Sequence, residues 1–127
     1  MLSNDEQFLF RESLFTPWMT AEVLQEHTET VNRLGMIPIY SEHQPELGFR
    51  EIYWTPNIQT YFEVRSARTF DEFQKIADRN LGSGHRLSTL QISSDDRYSS
   101  VWLDENGLLA ASGVLSSLGI TPALIRS

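Results

Sequence analysis

The sequence predicts an α+β domain built from two β-α-β-β-like repeats, forming an antiparallel sheet or partial barrel covered by two amphipathic helices, with a short C-terminal helix. Three observations predict it. The punctuation of the chain recurs after 49 residues, each amphipathic stretch begins at a threonine and stops at a glycine, and two β-compatible segments follow each stop. Sliding the chain by 49 residues sets Thr20 on Thr69, Glu22 on Asp71, Leu24 on Phe73, Gln25 on Gln74 and Gly35 on Gly84. A deletion of one residue then sets Trp54 on Trp102. The repeats run over 7–57 and 58–106 of a single domain spanning 1–127, and a tail occupies 107–127.

In the first repeat, Gln7 to Glu12 is expected to be the opening strand. Thr20 caps a helix whose Glu22, Glu26 and Glu29 favour its early turns. Val23, Leu24, His27, Val31 and Leu34 recur at three-four spacing and define its buried face. Gly35 ends it. Met36 to Tyr40 forms a strand, Pro45 marks a polar turn, and a further strand closes on Trp54.

The second repeat follows the same plan. Thr60 to Arg65 alternates as a strand, with Tyr61 and Glu63 on one side and Phe62 and Val64 on the other. Thr69 caps the second helix, Asp71 and Glu72 complement its dipole, and Phe70, Phe73, Ile76, Ala77 and Leu81 form its stripe. Gly82-Ser83-Gly84 stops it. His85 to Ile92 and the strand ending at Trp102 then flank a turn at Asp95-Asp96. In the tail, Leu108 to Leu118 reads as a short core helix ahead of Gly119 and Pro122.

A chain of 127 residues hides roughly two-thirds of its unfolded surface, enough for a core without covalent staples. Having no cysteine, it has no disulfide framework, no Cys-ligated zinc or iron–sulfur site and no cysteine nucleophile. The N-terminal MLSNDEQ lacks the basic and apolar regions of a secretory signal, and no apolar run approaches a membrane span, so a cytoplasmic protein is expected. Seventeen acidic and ten basic residues give a formal charge of −7, with Lys75 the only lysine. Nucleic acid is therefore a poor partner, since duplex binding draws on clustered cations. The acidity serves solubility, or a docking face for a basic partner.

Gly84-His85-Arg86-Leu87-Ser88-Thr89-Leu90, running on to Asp96-Arg97-Tyr98-Ser99-Ser100-Val101-Trp102, resembles the bacterial tandem-repeat domain that accompanies polyglycine hydrolases and related serine hydrolases. His85 stands where that pattern usually has an aromatic residue, and the first copy departs further, at Met36, Ile37 and Phe49-Arg50-Glu51-Ile52-Tyr53. The resemblance implies a repeat module that is itself non-catalytic.

The residues carry no recognisable catalytic motif. There is no Gly-x-Ser-x-Gly elbow, phosphate loop or dinucleotide turn, and Gly82-Ser83-Gly84 follows a helix where such a loop would follow a strand. His27, His43 and His85 lack metal-ligand spacing, so a metal site would need distant carboxylates such as Glu42 or Glu46; neither metal nor cofactor is expected. His27 falls on the apolar stripe, either as a partly buried, hydrogen-bonded core residue or as a residue lining a pocket. For acid–base chemistry, His85 or His43 would be the base, oriented by Asp95, Asp96 or Glu42. Trp54 and Trp102 either knit the core or wall a cleft, and Arg50 and Arg97 either pair with carboxylates at a groove mouth or lie solvated.

The leading expectation is a non-catalytic module that binds a peptide, protein or small ligand in a groove between the repeats, using His43, Trp54, His85, Arg86 and Trp102. A small enzyme or ligand carrier with a His-based pocket, and an acidic inhibitor of a basic toxin, are the alternatives. The apolar tail and free sheet edges leave a homodimer open.

Overall fold

The computed structural model describes residues 3–121. Its order is α1 (Asn4–Leu14), α2 (Ala21–Arg33), β1 (Ile37–Gln44), β2 (Gly48–Trp54), β3 (Phe62–Arg68), α3 (Phe70–Gly82), β4 (Arg86–Ile92), β5 (Tyr98–Leu103) and α4 (Glu105–Ser117). The fold is α+β, with an antiparallel pair β1-β2 and an antiparallel sheet ordered β3-β5-β4. No barrel closes. Pro122 lies outside the described residues, and no described helix is long and apolar enough to cross a membrane.

The threonine caps act as expected. Thr20 accepts a hydrogen bond from the Val23 amide and Thr69 from the Glu72 amide, and the Thr69 amide donates in return to the Glu72 carboxylate. Both helices end in the same main-chain motif. The Met36 amide reaches back to the Val31 carbonyl and the His85 amide to Asn80, with Gly35 and Gly84 at φ +90° and +83°. Glycine adopts that left-handed geometry at little cost, which is why the amphipathic runs stop there.

The opening strand expected at Gln7 to Glu12 is instead part of helix α1. Ser3 and Glu6 form a reciprocal capping box that starts it, and none of its residues is buried. Phe8, Leu9 and Phe10, which lie in the segment expected to match the Thr60 to Arg65 strand, remain on the surface. The strand-like partner of β2 lies later, at residues 15–19. Phe15 bridges Ile52, Met19 bridges Phe49, and Pro17 keeps the segment from becoming a full strand.

Ladder register reveals how the two halves correspond. In one, Ile37 faces Trp54 and Pro38 faces Tyr53; in the other, Arg86 faces Leu103 and Leu87 faces Trp102. Both ladders then slip by one residue, after Pro38 and after Leu87. Every one of these positions is matched 49 residues later without a gap. The deletion that set Trp54 on Trp102 is therefore corrected: the partner of Trp102 is Tyr53, and that of Trp54 is Leu103. A shift of one residue along a strand moves a side chain to the other face of the sheet, so the two indoles do not share one.

The main core lies where β1 meets the three-stranded sheet under α4. It joins Ile37, Ile39, Ile52, Val101, Leu103 and Leu115, with Trp54 packed at its edge. Polar bonds also tie the sheets together: Thr89 Oγ1 donates to the Ile39 carbonyl at 2.9 Å, and the Gln91 side chain brackets the His43 backbone at 3.0 and 3.3 Å. A second cluster, Phe73, Ile76, Ala77, Leu87 and Trp102, seals α3 onto β4 and β5.

Candidate functional site

The counterpart of that second cluster, under α2, is polar. Going back 49 residues, Phe73 becomes Leu24, Ile76 becomes His27, Ala77 becomes Thr28, Ser100 becomes Glu51 and Trp102 becomes Tyr53. Trp102 is fully buried, and its indole N–H donates to Ser100 Oγ at 2.9 Å. At the matching place the Tyr53 hydroxyl donates to Glu51 Oε1 at 2.8 Å. The geometry of a ring donor bonded two residues back on its strand is kept, while its acceptor changes from a hydroxyl to a carboxyl.

Glu51 is 1% exposed. Thr28 Oγ1 lies 2.7 Å from Glu51 Oε1 and 2.8 Å from the Leu24 carbonyl, and His27 Nδ1 shares a 3.0 Å hydrogen bond with the Tyr53 hydroxyl. Both bonds to the carboxyl fall on Oε1, and no described residue hydrogen-bonds Oε2. Burial disfavours the ionised form, so the Glu51 carboxyl is pushed above the usual carboxylate range, although its two hydrogen bonds oppose the shift. Burial, followed by the neighbouring Glu51 charge, pushes the Tyr53 phenol up as well.

A cavity of about 410 Å³ opens beside this network. Its walls are Leu24, Gln25, Thr28 and Glu29 of α2, Phe49 and Glu51 of β2, and Phe62, Val64, Arg65 and Arg68 of β3. It therefore lies between an element of the second repeat and two of the first. Helical spacing places Leu24 and Thr28 on one face of α2, and strand alternation places Phe49 and Glu51 on one face of β2.

None of the five residues expected to bind ligand lines this groove. Trp102 belongs to the core instead, because α3 closes over it, and Trp54 packs against the main core. His85 stacks on Tyr61 with ring centroids 3.7 Å apart and bonds Asn80 Oδ1 through Nδ1 at 3.1 Å; Arg86 Nη1 donates to the His85 carbonyl. His43 lies on β1 beside Phe49, with its Nδ1 buried and unbonded. Asp95 bonds Ser93 rather than a histidine, and Glu42 bonds Arg50 and Gln44. Neither imidazole is hydrogen-bonded to a carboxylate among the described residues.

Arg50 is the pairing group that the sequence allowed it to be. Its guanidinium bonds Glu42 and Glu12 at 2.7 Å each and lies 3.7 Å from the Phe15 ring centroid and 4.4 Å from that of Trp18, which fastens α1 to β2. On β3, Glu63 accepts bonds from Tyr61, Arg65 and Arg79. Burial raises its pKa, but the bonds from Tyr61 and Arg65 prevail and hold it below the usual range. Burial and then Glu63 push the Tyr61 phenol up to about 12. Arg97 is exposed. Among the described residues, no three potential metal ligands converge.

Sequence reading missed Glu51, Tyr53 and Thr28. The signal was present in the ungapped 49-residue comparison, where His27, Thr28 and Tyr53 take the places of Ile76, Ala77 and Trp102 and a carboxyl, Glu51, replaces the Ser100 hydroxyl. Compared with protein-family models, with curated proteins and with solved structures, the chain finds no match in any of the three.

Proposed function

We propose that the protein is a non-catalytic binding module that takes a small molecule or short peptide into the groove between its repeats. One observation carries this reading: a fully buried carboxyl, with one oxygen unbonded by the described residues, stands on the wall of a mixed polar and apolar cavity. Ligand pockets typically enclose about 300–1,000 Å³ and combine apolar walls with a few placed polar groups. The groove fits that description. Burial and the Glu51 charge push the Tyr53 phenol up, so it keeps its proton at neutral pH and donates it to Glu51 Oε1.

Kinship with the tandem-repeat modules that accompany serine hydrolases forms part of the same proposal. Its support is the matched spacing of helix caps, glycine stops and ladder slips in the two halves.

A fragment and short-peptide screen followed by ¹⁵N NMR tests the reading. Binders should shift the amides of Leu24, Thr28, Phe49 and Val64, and Leu24→Trp, which fills the cavity, should abolish those shifts. Binders that map only elsewhere, or that retain affinity in Leu24→Trp, would overturn it.

A further inference from the structure

We infer that the ligand of this groove carries a cationic amine, received by Glu51, on a compact apolar body enclosed by Leu24, Phe49, Phe62 and Val64; the inference rests on the groove being a binding site. A buried ionised carboxylate needs a countercharge, and Glu51 has none: no arginine, lysine or histidine nitrogen among the described residues lies within 4.0 Å of it. Its protein partners are two neutral hydroxyls, both on Oε1. An ammonium group is the complement of what remains, a carboxylate oxygen on an otherwise mixed wall.

Other charges near the groove narrow the choice. Glu29 on α2 adds negative charge, while Arg65 and Arg68 stand across from it on β3. Arg65 is already tied to Glu63 at 2.8 Å. A second cation at the far end of the ligand would face these guanidiniums, so a monoamine is favoured over a diamine. His27 on α2 and Tyr53 on β2 complete the set of titratable groups packed around Glu51. The carboxyl is driven toward its neutral form by burial, so taking up an ammonium requires Glu51 to lose its proton, and affinity should rise with pH.

The test compares three probes of similar shape, 2-phenylethylamine, 2-phenylethanol and 3-phenylpropionate, by ¹⁵N NMR titration of the full chain. The amine should bind about tenfold or more tightly than the alcohol, as a charge-assisted bond requires, and the carboxylate most weakly. Glu51→Gln should remove the amine's advantage and its pH slope while leaving the alcohol's affinity unchanged; a slope that persists in that variant would overturn the inference. Should the variant fail to fold, the wild-type pH profiles decide: amine affinity that rises with pH while alcohol affinity stays flat supports the inference, and two parallel profiles overturn it. Equal binding of amine and alcohol in the groove sinks the amine and spares the groove. Absence of all three from the groove sinks both.

Discussion

Two helices of equal length cross two strand pairs of equal register, yet one interface is closed with apolar side chains and the other is not. Beneath α3, Trp102 fills the space between Phe73, Ile76 and Leu87. Beneath α2, Tyr53, Glu51, Thr28 and His27 occupy the matching places and a cavity remains. Caps, glycine stops and ladder slips are common to both. The difference teaches that backbone geometry is set by a few punctuating residues, while the facing side chains decide whether the same geometry becomes core or cleft.

The largest expected effect lies on the closed side. Trp102→Ala should cost about 3–5 kcal/mol in urea unfolding, because a large aromatic leaves a cavity that cannot collapse. A loss under about 1 kcal/mol would mean that the α3 interface is as loosely filled as its counterpart.

Next comes the clamp found only on the open side. Arg50→Ala should cost about 2–3 kcal/mol, since it strands Glu12 and Glu42 and bares the Phe15 and Trp18 rings. Thermal melts would read it directly; an unchanged melting temperature would show that α1 contributes nothing to the first half.

Smaller and matched losses should follow at the two stops. Gly35→Ala and Gly84→Ala each meet open space, so only backbone strain of about 1–2 kcal/mol separates them from wild type, and the two should agree. Unequal losses would break the correspondence of the halves.

The last effect is read as a slope. A Glu51 pKa raised on folding gives the native state extra proton affinity. That contribution is fully present below the ordinary value of 4.5 and is lost as pH rises through the folded pKa. Relative to Glu51→Gln, wild type should therefore lose stability as pH climbs from about 4.5 toward neutrality. A flat difference would place Glu51 in a wetter setting than its burial indicates.

Much of the fold was legible because its signals are local. Thr20, Thr69, Gly35 and Gly84 act on backbone within a turn of themselves, and the run Leu108 to Leu118 carried enough apolar residues to mark α4, which buries Ala111 and Leu115. Helix α1 departs from the strand expected by analogy with Thr60 to Arg65 because its contiguous Phe8, Leu9 and Phe10 face solvent and record no packing, whereas the Ser3–Glu6 capping box is the stronger cue. Matching tryptophan to tryptophan was the costlier error. It favoured residue identity over register and hid the replacement of Trp102 by Tyr53. The candidate site was beyond local reading in any case, because Glu51 meets Thr28 across 23 positions and the β3 wall comes from the other half.

The paired six-to-one bonds that end α2 and α3 run between main-chain atoms, so no side chain takes part in them. The frame of each half is thus written in a different alphabet from its contents. Residues facing the hollow can be exchanged wholesale, for selection or for an engineer, with the surrounding architecture left standing.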